Sequence, residues 1–165
     1  VEKILKDNQN NFEAYVANDN SDGQIVLSGR TRDLQILSEL FKEKKIKNIK
    51  LPVSAPFHCS LMNKATNIMA EELNKLNFQD SENNLISNVT AEVISNTEDL
   101  KSLLIKQIEN RVRWRESVIY MIKNGVDQFI EIGPGKVLSG LVKRINKNMK
   151  INAINNREDI KNLKI

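Results

Sequence analysis

The stretch VDQFIEIGPGKVLSGLVKR, residues 126–144, decides the fold. Its first seven residues are largely apolar and predict a strand. Gly133-Pro134-Gly135 then makes a sharp exit, and residues 136–147 read as a helix. Residues 151–154 (INAI) follow as a last strand and residues 157–165 as a closing helix. Strand, helix and strand in this order build a parallel sheet. The GPGK turn opens a helix, so its backbone amides could face an anion. It is neither standard phosphate motif, because the dinucleotide fingerprint needs a glycine where Leu138 stands and the P-loop needs Ser or Thr where Val137 stands. A tight strand-to-helix turn is the favoured reading.

Upstream of this unit, residues 114–123 and 99–109 predict helices and residues 85–89 (LISNV) a short strand. Residues 61–76 carry Leu61, Met62, Ala65, Met69, Leu73 and Leu76 at helical intervals, so a long helix packs here. From residue 54 onward, strands alternate with helices, and a parallel sheet covered on both faces is expected.

The first 53 residues have a different order. Val1, Ile4 and Leu5 give residues 1–9 helical spacing, and residues 12–17 (FEAYVA) read as a strand. Residues 18–23 (NDNSDG) are rich in turn formers and lead to a second strand at 24–27 (QIVL), which predicts a hairpin. Residues 31–42 return to helix, with Leu34, Leu37, Leu40 and Phe41 on one face, and residues 46–53 (IKNIKLPV) predict a third strand. Helix, strand, strand, helix and strand make a βαββαβ ferredoxin-like unit lacking its first strand. Such a unit exposes sheet edge and apolar helix surface, so residues 1–53 are expected to be marginally stable alone. The chain opens at Val1, without Met and inside a helix, as a truncated start is expected to.

The chain has 165 residues, 40% of them hydrophobic, enough to bury a core of ordinary size. Its 25 basic and 21 acidic residues are mixed along the sequence. The densest basic run, residues 42–50 (KEKKIKNIK), holds no aromatic side chain, which argues against nucleic-acid binding. No apolar run reaches membrane-spanning length, so no membrane is expected as a partner. Cys59 is the only cysteine and fits a reducing cytosol, so a cytoplasmic location is expected. Asn88-Val89-Thr90 matches a glycosylation acceptor, which matters only in a secreted protein.

His58 is the only histidine, in SAPFHCSLM (residues 54–62), between a predicted strand end and a predicted helix start. Such loops are where open α/β sheets carry function. Cys59 beside it invites a dyad, but neighbours in an extended or turning segment point apart, and a buried structural thiol is the better reading. One His beside one Cys lacks two further ligands at usable spacing, so no metal is expected.

Four stretches in order resemble the malonyl-CoA:acyl carrier protein transacylases. They are NSDGQIVLSG (20–29), PVSAPFHCSLM (52–62), LIKQIENRVRW (104–114) and EIGPGKVLSGLVKR (131–144). The resemblance covers nearly the whole chain and implies the C-terminal part of that family. The fold it implies is α/β, a partial α/β hydrolase-like acyltransferase core with a ferredoxin-like subdomain lacking its first strand. Residues 1–53 then belong to the subdomain and residues 54–165 to the core.

The same resemblance implies ping-pong transfer of a malonyl group, for fatty acid synthesis, from malonyl-CoA to acyl carrier protein. It requires no cofactor, since the CoA thioester and the phosphopantetheine thiol are substrate groups. His58 matches the family's general base, and Gln107 aligns with the residue whose main-chain carbonyl orients that imidazole. Phe57 matches an aromatic often present in malonyl-selective relatives, and Asn20 matches a residue near the cleft. The family's serine sits in Gly-x-Ser-x-Gly, and residues 1–165 contain no such motif: Val26 and Arg30 flank Ser28, while Val137 and Leu141 flank Ser139.

Arg113, Arg115 and Arg144 do not align with the family's substrate-binding arginine. Lys136, Lys143 and Arg144 are candidates for docking the acidic carrier protein. The expectation is therefore an acyltransferase part that supplies the histidine and is inactive alone, its N-terminal part supplied as an extension or as a separate chain. The alternatives are a non-catalytic module that binds carrier protein or another partner, and an inactive remnant.

Overall fold

The computed structural model describes residues 1–8 and 11–163. The decisive unit forms as expected. β3 (Gln128–Ile132) and β4 (Lys150–Ile154) pair in parallel, Gln128 opposite Lys150 through Ile132 opposite Ile154, with α6 (Val137–Ile145) between them in sequence. Along α6, Leu141 and Val142 turn inward and are buried. α5 (Trp114–Lys123) buries Val118 against the same place.

Val118, Val142 and Met149 are the centre of the core, with Trp114, Met121, Ile122, Phe129, Ile145 and Ile151 packed around them. Full burial of one such side chain is worth about 1.5–3 kcal/mol. The core therefore lies on one face of the β3–β4 ribbon, and this corrects the expected sheet. Ile132, next to the core strand's end, is 79% exposed, and Ile130 is exposed on the same side. Successive strand residues point to opposite faces, so helices covering Phe129 leave Ile130 and Ile132 outside. Only one face is covered among the described residues.

The second sheet is the hairpin of β1 (Ala14–Ser21) and β2 (Gln24–Gly29), with irregular register between Val16 and Asn18 and between Asp19 and Ser21. The expected turn at 18–23 shrinks to Asp22-Gly23, because residues 18–21 join the strand. Asn18 bridges Val112, Asp19 N–H donates to Val112 O at 2.9 Å, and Val112 N–H donates to Ala17 O at 2.8 Å. Asp-Gly suits the two-residue hairpin turn, and Gly23 adopts a φ of 74°. The buried Asp19 carboxylate takes two bonds of 3.2 Å from Arg115 Nε, which also ties the hairpin to α5.

α1 (Glu2–Asp7) precedes the hairpin and α2 (Thr31–Glu43) follows it, with Leu37 and Phe41 buried. The expected reach of α1 to residue 9 ends outside the described residues, as does the reach of the last helix to residue 165. That helix, α7 (Arg157–Lys161), starts with a capping box between Asn156 and Asp159.

Two expected strands do not form. Residues 46–53 make no ladder, and residues 85–89 keep only an isolated bridge between Ile86 and Val93. A strand needs a neighbour along its length for its N–H and C=O groups. Residues 46–53 have no strand beside them among the described residues, and residues 85–89 meet only the short return at 92–94, where Ser87 N–H donates to Glu92 O and Ile94 N–H to Leu85 O. The long helix appears as a 3₁₀ turn (Ser60–Met62) followed by α3 (Asn63–Asn74). It packs against α4 (Thr97–Gln107) by one side, leaving Met69 and Leu76 exposed where burial was expected.

Candidate active site

His58 lies between Pro56 and α3, with a φ of 63° that side chains other than glycine's rarely adopt. Three hydrogen bonds hold this turn. Cys59 Sγ–H donates to Pro56 O at 3.1 Å, His58 N–H donates to Ile108 O at 3.1 Å, and His58 Nδ1 lies 2.9 Å from Gln107 O. Gln107 and Ile108 end α4, whose N-terminus is fixed by the Asn96 side chain accepting from Asp99 N–H. The last carbonyls of a helix have no partner within it, and His58 takes up two of them.

A carbonyl oxygen only accepts, so the proton between Nδ1 and Gln107 O belongs to Nδ1. Nε2 then carries a lone pair, and no hydrogen bond engages it among the described residues. The Gln107 side-chain Nε2 is 3.4 Å from Nδ1 but donates to Asn110 O at 3.2 Å. Because Nδ1 is already a donor, the 3.4 Å approach is a contact and not a bond. An imidazole in this tautomer can accept a proton at Nε2 and later return it.

The imidazole opens on a groove of about 670 Å³ between α1, β1 and the end of α4, with Leu5, Tyr15, Val16, Cys59 and Arg111 in its walls. Arg111 pairs with Glu2 at 2.7 Å and with Glu116 at 3.2 Å, which braces α1 over this end. Cys59 is 1% exposed, and burial pushes its thiol pKa up, so it is a packing group and no partner in a dyad.

The structure brings His58 and Gln107 together and leaves the other two candidates apart. Phe57 is 46% exposed and Asn20 sits in β1; neither lines the groove of His58. Tyr15 and Arg111 do line it and carried no sequence signal, since strand and loop positions meet there only through folding.

The GPGK turn is not free to take an anion. The Glu131 carboxylate already accepts from Leu138 N–H at 3.1 Å and Ser139 N–H at 2.8 Å at the start of α6. The nearby Ser139 hydroxyl and then these amides hold its carboxyl below the usual carboxylate range, although the hydroxyl itself lacks a well-aligned partner. The arginines set aside above are committed too. Arg113 donates to Thr90 O at 3.0 Å, Arg115 to Asp19, and Arg144 to Gln24. Lys143 closes the end of α6 by donating to Lys147 O and Met149 O, while Lys136 is exposed. Among the described residues, no three His, Cys, Asp or Glu side chains gather as a metal site, and no helix is long and apolar enough to cross a membrane.

No family model matches the chain. The malonyl CoA-acyl carrier protein transacylase of Bacillus subtilis (strain 168) is 45% identical over 146 residues, 88% of this chain and 46% of that relative. The crystal structure of the Clostridium perfringens malonyl CoA-acyl carrier protein transacylase superposes with a TM-score of 0.92 at 38% identity, over 98% of this chain and 51% of that one. A malonyl-transacylase in complex with its type II PKS acyl-carrier protein superposes with a TM-score of 0.90 at 31% identity, over 96% of this chain and 52% of that one. The fold is thus an α/β fold of the acyltransferase kind. More narrowly, the chain is a homologue of the malonyl CoA-acyl carrier protein transacylases and spans about half the length of the curated relatives it matches.

Proposed function

We propose that residues 1–165 supply the histidine half of a malonyl-CoA:acyl carrier protein transacylase of fatty acid synthesis. The observation that carries this reading is the 2.9 Å approach of His58 Nδ1 to Gln107 O, which leaves Nε2 as a base. A serine outside these residues attacks the malonyl thioester carbon while Nε2 takes the hydroxyl proton. The C–S bond breaks, and the CoA sulfur leaves with that proton. In the second half-reaction Nε2 takes the proton of the phosphopantetheine thiol, whose sulfur attacks the acyl ester. The serine oxygen leaves and recovers the proton. The imidazole thus returns to its starting state and no resident cofactor takes part.

On this reading residues 1–53 are part of a ferredoxin-like subdomain and residues 54–165 part of the acyltransferase core, in a cytoplasmic enzyme. Phe57 and Asn20 face substrate only once the rest of the cleft is in place. Acyl carrier protein docks electrostatically, and Lys136 is the basic candidate left uncommitted by internal bonds among the described residues.

The test is to mix or co-express the chain with a polypeptide bearing the Gly-x-Ser-x-Gly half. Restored malonyl transfer, lost in His58→Ala, supports the proposal; residues 1–165 alone transfer nothing. Inertness of a mixture in which the two polypeptides associate supports instead a non-catalytic partner-binding module.

A further inference from the structure

No glycine or proline separates α4 from α5. Residues 97–123 contain neither, yet α4 ends at Gln107 and α5 starts only at Trp114. In a continuing helix Arg111 N–H would bond Gln107 O, and Val112 N–H would bond Ile108 O. Those are the two carbonyls that hold His58, through Nδ1 at 2.9 Å and through its N–H at 3.1 Å. His58 has them because α4 gives them up. The Asn110 side chain helps to end the helix by donating to Lys106 O at 2.7 Å, but it touches neither of these carbonyls.

What takes the chain away is β1. Val112 N–H donates to Ala17 O at 2.8 Å instead of to Ile108 O, and Val112 O accepts from Asp19 N–H at 2.9 Å. Asp19 grips the same segment a second time, three residues further on, where both its carboxylate oxygens accept from Arg115 Nε at 3.2 Å. Asp19 is 6% exposed, and a buried carboxylate parted from its cation is costly, so the pair resists separation. The second grip matters because β1 breaks register with β2 on both sides of this point, between Val16 and Asn18 and between Asp19 and Ser21. Such irregularities interrupt the ladder locally, and the hairpin alone holds residues 17–19 less firmly.

We propose that Asp19 is a positioning residue for His58: by clamping Val112 and Arg115 to β1 it stops α4 at Gln107 and reserves the Gln107 and Ile108 carbonyls for the histidine. Asp19 does not line the groove of His58 and acts only through this segment. The role rests on His58 being the base of the proposed function.

NMR on the full chain tests it with Asp19→Asn, which keeps the size of the side chain, and with Arg115→Ala, which removes a partly exposed one. In both, the carbon shifts of residues 108–112 should move toward helical values, and the proton of the neutral imidazole, on Nδ1 in the parent, should spread to Nε2. Arg115→Lys leaves a cation facing Asp19 and should fall between these variants and the parent. Arg30→Ala removes an ion pair with Glu13 at the base of the hairpin and should leave His58 unchanged. In the complemented enzyme Arg115→Ala should lower kcat about tenfold, with KM for malonyl-CoA within about twofold. If Asp19 and Arg115 only stabilise the fold, the variants unfold at lower urea while the His58 signal of the folded chain stays as in the parent; that result overturns the inference and spares the proposed function. Shifted signals in the variants, with no malonyl transfer by the complemented parent, spare the clamp and sink the proposed function. A parent chain with its proton on Nε2 contradicts both.

Discussion

The Nδ1 nitrogen of His58 lies 2.9 Å from the main-chain oxygen of Gln107, 49 residues further along the chain. An oxygen that belongs to the backbone orients the imidazole, so the side chain of Gln107 is dispensable for this purpose. In the complemented enzyme Gln107→Ala should change acyl transfer by less than about threefold, while His58→Ala lowers it about 10²- to 10⁴-fold. Nitrogen NMR on the neutral imidazole should show the proton on Nδ1 in both the parent chain and Gln107→Ala. A proton on Nε2 would contradict the arrangement.

Leu37 is buried where α2 meets the hairpin. Leu37→Ala should cost about 2–5 kcal/mol in urea unfolding, from lost transfer energy and the cavity left behind. Ile49→Ala, at an exposed site in the same region, should stay within about 0.5 kcal/mol. Equal effects would mean that the first 53 residues are not packed as described.

Glu131 has its carboxyl held below the ordinary range by the Ser139 hydroxyl and the amides that start α6. A lowered folded-state pKa gives stability that is present above the unfolded value and is lost as pH falls through the folded one. Unfolding free energy measured across the acid range should therefore fall less steeply in Glu131→Gln than in the parent. The variant should also be the less stable of the two at neutral pH.

The Cys59 thiol is buried and its pKa is raised, chiefly by that burial. The folded state accordingly favours the protonated thiol. Stability from this source is full below the ordinary thiol pKa and lost as pH rises through the raised one. Iodoacetamide near neutral pH should leave Cys59 largely unmodified in the folded chain and react readily in urea. Rapid alkylation without urea would overturn the packing role.

Lys136 and Lys143 were equivalent by charge but are not equivalent in place. Lys143 bonds two carbonyls beyond α6, whereas Lys136 is exposed. Lys136→Glu should weaken transfer to carrier protein in the complemented enzyme more than hydrolysis, with stability unchanged within about 0.5 kcal/mol. Lys143→Ala should cost about 0.5–1.5 kcal/mol of stability. Thermal unfolding and the two activity assays separate these outcomes.

The sequence by itself determined the elements whose cause is local. The GPG exit, the helical spacing of α5 and α6, and the Asp-Gly hairpin turn each depend on a few neighbouring residues, so they could be read directly. The SAPFHCSLM segment singled out the histidine, and together with three further stretches it carried the resemblance to the transacylases. Only the tertiary structure decided the rest, because it depends on groups distant in sequence. Residues 46–53 have the pattern of a strand but become one only beside another strand, and none is present among the described residues. Glu131 occupies amides at the start of α6 that the GPGK pattern alone leaves open to an anion, and Lys143 and Arg144 bond internal partners. The tautomer of His58 likewise became fixed when folding brought the end of α4 against it, since hydrogen bonds are made in space and not along the chain.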